Sequence, residues 1–234
     1  KKITVESMNS MQSSVMEIGG AQERGPDARD RILAAAESLF AIRGFEGVST
    51  TQIAKVAGIT QPLIHYHFKN KEALWKATVS RLFGRMSDEF SSEVMGLPQT
   101  DSRRYMVEMI RSYVAFVARY PQFGQFILRE GVQQTSRLAW MVDEWLKPLL
   151  NQFHDVYKTG TAEGWVKDIP FPQLIMLITA SASHFFSLAP LVNSLYGIDA
   201  YSPEQVLAQS DAVVEVAVNA ILRDPVRAQE ALTI

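Results

Sequence analysis

Gln61 and Pro62 stand side by side just ahead of a run of aromatic side chains, and both can read the edge of a base pair. A glutamine amide pairs bidentately with adenine, and a proline ring offers apolar contact to a thymine methyl. Thr50, Thr51 and Thr60 add short hydroxyls suited to phosphate oxygens or base edges, although Thr50 reads equally well as a helix cap. His65-Tyr66-His67 suggests two other chemistries. The alternate histidines resemble a metal clamp, but no Asp, Glu or third His stands by to complete one, so no metal is expected. The rings can also fill a small core, which suits Phe68 well and Tyr66 no better than a surface role.

These side chains need elements to position them, and the surrounding pattern is helical. Asp27 can cap a first helix whose Ile32, Ala36, Leu39 and Phe40 recur on one face until Gly44. Ser49 and Thr50 offer capping hydroxyls to a second helix, Thr51 to Ala57, with Ile53, Ala54 and Ala57 facing inward and Gly58 as its stop. Thr60 can cap a third, with Pro62 in the first turn where no intrahelical donor is required. Of Leu63 and Ile64, one should face the core. Asn70 can cap a fourth from Lys71, striped by Leu74, Trp75, Ala77 and Leu82. Two short helices about a tight Gly turn make a helix-turn-helix, whose second helix can enter the major groove.

The stretch LFAIRGFEGVSTTQIAKVAGIT, followed by IHYHFKNKEALWKA, resembles the DNA-binding domain of the TetR family across about residues 28–78. Gln61-Pro62, His67-Phe68 and Asn70-Lys71 carry the likeness most strongly. The resemblance implies that His65, Tyr66 and His67 touch phosphates and that Lys71 is the phosphate-contacting lysine. It also implies a homodimer on a palindromic operator, joined through the last two helices of each chain, and a small-molecule effector that switches a repressor. In that scheme the fourth helix carries the shape of the effector pocket to the DNA-binding head.

Composition agrees with an ordinary folded chain, at 47% hydrophobic and 21% charged residues. The net charge of −2 conceals an asymmetry: residues 1–85 hold 12 Lys and Arg against 8 Asp and Glu, and the rest 11 against 17. A weakly basic head on an acidic body suits a small nucleic-acid module on a larger partner domain. There is no cysteine, which excludes disulfides and thiolate metal sites. No apolar leader follows Lys1, so a cytoplasmic location is expected. No nucleophile constellation, phosphate-cradling glycine loop or metal spacing supports an enzyme, and no cofactor is expected.

The organisation expected is all-α, with an arm at 1–25, a three-helix helix-turn-helix DNA-binding domain at 26–72, and a helical-bundle ligand-binding and dimerisation domain at 73–234. Beyond Pro98, helices are expected at about 101–119, 122–131, 136–160, 171–191 and 203–222; Ser202, Pro203 and Gln205 open the last with a capping box. The apolar segment from Phe171 to Val192 approaches membrane length but reads as a buried helix, interrupted as it is by Gln173, His184 and prolines. Leu174, Ile175, Leu177, Ile178, Phe185 and Phe186 surround it, and Val206, Val213, Val214, Ala217 and Ile221 stripe the last helix, so a neighbour is expected to cover both. Tyr113, Phe116, Phe126, Trp140, Trp145, Met176 and His184 are the candidate pocket residues, drawn from a set that also holds Phe123 and Trp165, with Gln122, Arg129, Asn151 and Ser181 as polar fixers. The competing reading is the same fold as a ligand-binding or protein-interaction module whose DNA binding is lost or depends on a corepressor.

Overall fold

The computed structural model describes residues 27–94 and 102–223, so the arm read at 1–25 lies outside the described residues. Among these, every regular element is helical, and the strand-type pairing is confined to an isolated bridge between Val166 and Leu222.

The head is built from α1 (Ala28–Arg43), α2 (Thr50–Ala57), α3 (Gln61–Phe68) and the first turns of α4 (Lys71–Val94). Ser49 caps α2 through a reciprocal pair: its hydroxyl accepts from the Gln52 amide at 3.2 Å, and the Gln52 side chain accepts from the Ser49 amide at 2.9 Å. The helix therefore begins at Thr50, one residue earlier than the sequence suggests, and Thr50 is left free of capping. Gly58 ends α2 in the left-handed region (φ 65°), where a side chain would be strained. Asn70 caps α4 by accepting from the Ala73 amide at 2.8 Å. Asp27 and Thr60 occupy cap positions without a side-chain cap bond. The head's core is Ile32, Leu33, Ala36, Phe40, Ile53, Ile64, Phe68 and Leu74, all buried. Each fully buried aliphatic or aromatic side chain there contributes about 1.5–3 kcal/mol. Ile64 is the inward member of its pair, and Leu63 is half-buried.

The body begins along α4, which runs unbroken, so a boundary at 72/73 falls within its first turn. It continues with α5 (Ser102–Arg119), α6 (Gln122–Gly131), α7 (Ser136–Met141), a π-helical turn (Val142–Leu146), α8 (Lys147–Ala162), α9 (Phe171–Ser187), α10 (Ala189–Tyr196) and α11 (Pro203–Ile221). α5 lies at the centre, packed against α4, α9 and α11. Val213, Val214, Ala217 and Ile221 of α11 are buried within this chain. The expectation that a partner covers that stripe is corrected accordingly: α5 does.

Two long helices expected from periodicity are broken, each beside a proline. The segment 136–160 contains Pro148, which lacks an amide hydrogen and whose ring would crowd the carbonyl four residues back. The π turn immediately before it opens the helix, and Lys147 donates to Val142 five residues back. The segment 171–191 ends at Ser187 because Pro190 can neither donate to the Phe186 carbonyl nor fit against it. The Tyr201 hydroxyl donates to that carbonyl instead, at 2.7 Å. α9 and α10 meet at a 67° bend, and no single described helix is long and apolar enough to cross a membrane. At the far end, Gly160 admits the Trp165–Val166 turn: a Cβ there would lie 2.3 Å from a Val166 methyl. The Ser202 hydroxyl caps α11 by accepting from the Gln205 amide at 3.4 Å.

Candidate nucleic-acid interface and candidate cavity

Thr50 and Thr51 open a tightly capped helix, and Gln61 is the first residue of the next, so the turn at Gly58 brings their side chains together. Gln61 is gripped at both ends of its amide: Thr51 donates its hydroxyl hydrogen to Oε1 at 3.0 Å, and Nε2 donates to the Thr50 hydroxyl at 3.2 Å. This fork holds the amide's donor and acceptor in one sense on an exposed surface. Pro62 and Thr60 are exposed beside it. Tyr66 is 81% exposed, which takes it out of the core, whereas Phe68 is buried.

His65, at the other end of α3, lies 3.3 Å from the Lys69 carbonyl. A carbonyl can only accept, so Nδ1 carries the hydrogen and Nε2 remains available. Lys69 is the one described non-glycine residue with positive φ (53°), and the reversal there starts α4 directly after α3. His67 is half-buried, edge-on to Tyr66 and close to Phe68. The Lys71 ammonium stands 4.2 Å from the Phe45 ring centre, within cation–π range. Ser49, Thr50, His65, Asn70 and Lys71 rim an open depression of about 560 Å³ where the amino ends of α2 and α4 converge. Helix amino ends carry partial positive charge, so the depression suits an anion such as a phosphate. All nine residues singled out in the head thus fall on the fork, the α3 surface or this depression. Among the described residues, no group of three His, Asp or Glu side chains is placed to hold a metal ion.

Head and body meet in an aromatic seam. Trp75 is buried there against Phe126, with ring centres 6.3 Å apart, and against Trp140 at 5.9 Å. The Arg137 guanidinium covers Phe45 at 3.9 Å and pairs with buried Glu130 at 3.4 Å. Arg85 of α4 donates to both oxygens of the buried Glu37 of α1, at 3.3 and 3.2 Å. Arg129, in the last turn of α6, donates to the Ala41 carbonyl at 2.7 Å and to the Ile42 carbonyl, closing the carboxyl end of α1.

A cavity of about 200 Å³ lies between α5, α6, α8 and α9. Tyr113, Phe123, Met176 and His184 line it, as do Ile127 and Ser183, which sequence reasoning missed. Phe116, Phe126, Trp140 and Trp145 do not line it, which corrects their nomination. Phe126 and Trp140 belong to the seam, Phe116 packs on Phe123 and Tyr120, and Trp145 packs on Phe83. Of the polar fixers, Arg129 holds the head and Ser181 donates to its own helix at Leu177. Spacing held a usable signal: Phe123 and Ile127 share a face of α6, and Thr179 and Ser183 interrupt an apolar helix one turn apart. Burial pushes the Tyr113 phenol above its ordinary range, so it stays protonated. The exposed apolar residues of the last helices are Met176, Leu177, Leu188, Leu191, Leu195, Leu207 and Val216 rather than the expected stripe.

A family model described as bacterial regulatory proteins, tetR family, matches residues 32–78, and one described as tetracyclin repressor-like, C-terminal domain, matches residues 103–217. The HTH-type transcriptional regulator RutR of Escherichia coli K12 is 27% identical over 194 residues, covering 80% of this chain and 87% of its own. Among solved structures, a regulatory protein in the tetR family from Rhodococcus RHA1 superposes with a TM-score of 0.66 at 18% identity, over 85% of this chain and all of that one. FadR of Bacillus subtilis, solved with stearoyl-CoA, gives 0.62 at 20% identity over 82% and 98%. At such identities these two structures speak for the fold.

Proposed function

The chain belongs to the tetR family of bacterial transcriptional regulators, and from that premise we propose that it is a repressor that binds a palindromic operator as a homodimer in the cytoplasm and is switched by a small-molecule effector held in the α5–α9 cavity. Gln61 and Pro62 read bases. Thr50, Thr51 and Thr60 contact bases or phosphates, and His65, Tyr66, His67 and Lys71 hold phosphates that set register and carry the salt dependence. The domain division follows: head at 26–72, effector and dimer domain at 73–234. The family is regulatory, and no enzymatic role is assigned.

The observation that carries this reading is α6. Phe123 and Ile127 of one helix line the cavity, and Arg129 of the same helix holds α1 of the head. An effector that shifts α6 therefore acts on the head through two hydrogen bonds and the Trp75 seam. The sequence reading assigned this task to α4, but among the described residues α4 lends none to the cavity wall, so α6 is the more direct link. An effector acts by favouring one spacing of the two heads over another, and its leverage is its difference in affinity for the two states. One recognition helix buries too little for useful specificity, and two-fold binding is the remedy. The exposed leucines and Met176 of α9 and α10, with Leu207 and Val216 of α11, supply an apolar face for the second copy.

The test is selection of genomic fragments by the purified protein, followed by affinity titration against salt. A palindrome bound by a dimer is the expected result. No enrichment above random DNA, with or without a metabolite extract, would sink the reading and favour a module that has lost DNA binding.

A further inference from the structure

Two cavities adjoin in the body. The larger, described above, shares Met109, Ile110, Phe153, Ile175 and Ile178 with a deeper chamber of about 50 Å³. The deeper chamber is apolar, and its one hydroxyl, on Tyr157, already donates to the Ile169 carbonyl at 2.7 Å. Polar side chains reach only the larger chamber, and most are oriented by their own helix. Thr179 donates to the Ile175 carbonyl at 2.7 Å, and Ser183 donates to the Thr179 carbonyl at 2.8 Å. His184 Nδ1 lies 3.1 Å from the Ala180 carbonyl and so carries a hydrogen, and Nε2 accepts when the ring carries that hydrogen alone. All three therefore offer lone pairs to an occupant. Tyr113 is the exception: its hydroxyl has no hydrogen-bond partner among the described residues and can donate.

Among the described residues, no Lys, Arg, Asp or Glu lines either chamber. An anionic head group set against buried Tyr113 and Ser183 would lose hydration there, and no Lys or Arg among the described residues of the lining replaces it. An ammonium would lose its hydration and find no carboxylate. A hydroxyl meets neither penalty, since it can accept from Tyr113 and donate to Ser183 or His184. We propose that this site, on the reading of it as the effector site, takes an uncharged molecule with an apolar chain and a terminal hydroxyl, the chain reaching into the deeper chamber and the hydroxyl lying among Tyr113, Ser183 and His184.

Calorimetry on the full chain at about pH 8 tests this with 1-octanol, octanoate, octylamine and 1-chlorooctane, octanoate and octylamine being charged there. The alcohol is expected to bind at least roughly tenfold tighter than either charged analogue. Tyr113→Phe and Ser183→Ala should each weaken octanol roughly fivefold and leave chlorooctane unchanged, with circular dichroism confirming the fold. Ile178→Phe, which enlarges a side chain common to both chambers, should abolish the advantage of octanol over butanol. Octanoate binding as tightly as octanol, octanol no tighter than chlorooctane, or no binding by any of them would overturn the proposal. An operator titration separates the two claims. Octanol that binds selectively but leaves operator affinity unchanged upholds the ligand class and ends the effector reading. Octanoate or an acyl-CoA shifting operator affinity in its place does the reverse.

Discussion

The candidate DNA-reading residues of the head fall between positions 50 and 71, whereas the cavity walls are drawn from positions 109 to 184 across five elements. The head exposes polar side chains on short helices, fixed by caps and by a fork that join residues a few turns apart. The body encloses an apolar volume among long helices, and the few polar groups in its wall, Tyr113 apart, are bonded to their own backbone. A surface can be rewritten one side chain at a time, while a cavity is a joint property of every helix around it. The difference predicts separable consequences.

Removing the element common to both regions should have the largest effect. Trp75→Ala is expected to cost about 3–5 kcal/mol, as large-to-small changes in a packed core do, and to lower a single melting transition. Two separate transitions would show that head and body unfold independently. Next comes the head alone. Gln61→Ala should cost about 1–3 kcal/mol on the selected operator and relax specificity there, with ligand affinity unchanged. Equal loss on all sequences would remove Gln61 from base reading.

A third effect belongs to the body. Because burial raises the Tyr113 phenol, the unfolded chain ionises near the ordinary value of about 10 while the folded chain holds its proton. Stability is then fully present below about pH 10 and falls above it, by up to about 1.4 kcal/mol per pH unit. Tyr113→Phe should lessen that fall in alkaline denaturation curves without abolishing it, since Tyr120 and Tyr201 are pushed the same way. An unaltered curve would refute the assignment. Smaller again, Lys71→Ala should weaken binding to all sequences alike and flatten the salt slope by roughly one unit; an unchanged slope would dismiss the phosphate contact. Smallest, Thr51→Val should lower operator affinity by about 0.5–1 kcal/mol by releasing one prong of the fork. The same variant leaving discrimination at the Gln61 base pair intact would show that the fork does not orient the amide.

The same contrast explains what could be read beforehand. In the head, Ser49, Gly58 and Asn70 are punctuation with local mechanisms, so the helix ends were legible in one dimension. Even there the fork was not, because Thr50 looked like a cap until Ser49 took that role. In the body, the stripe on α11 said that Val213, Val214 and Ala217 must be covered but could not say by what; α5 covers them. Phe126 and Trp140 are as aromatic as Phe123, and only the packing of α6 and α7 around Trp75 sends them to the seam. Pro148 and Pro190 marked the broken helices, but how each break is resolved depends on neighbours distant in sequence.

The hydroxyl of Tyr201 on the Phe186 carbonyl also bears on how such a sequence can change over time. Pro190 removes the amide that would meet the Phe186 carbonyl along the helix, and Tyr201 meets it from the next segment beside a shared bond from the Leu188 amide. A lineage that lost Tyr201 first would forfeit its stronger bond, at about 0.5–1.5 kcal/mol. One that first replaced Pro190 would restore a backbone donor and release Tyr201 to drift. The two positions are therefore coupled with a preferred order of substitution, and homologues that keep the proline should keep a hydrogen-bond donor at 201.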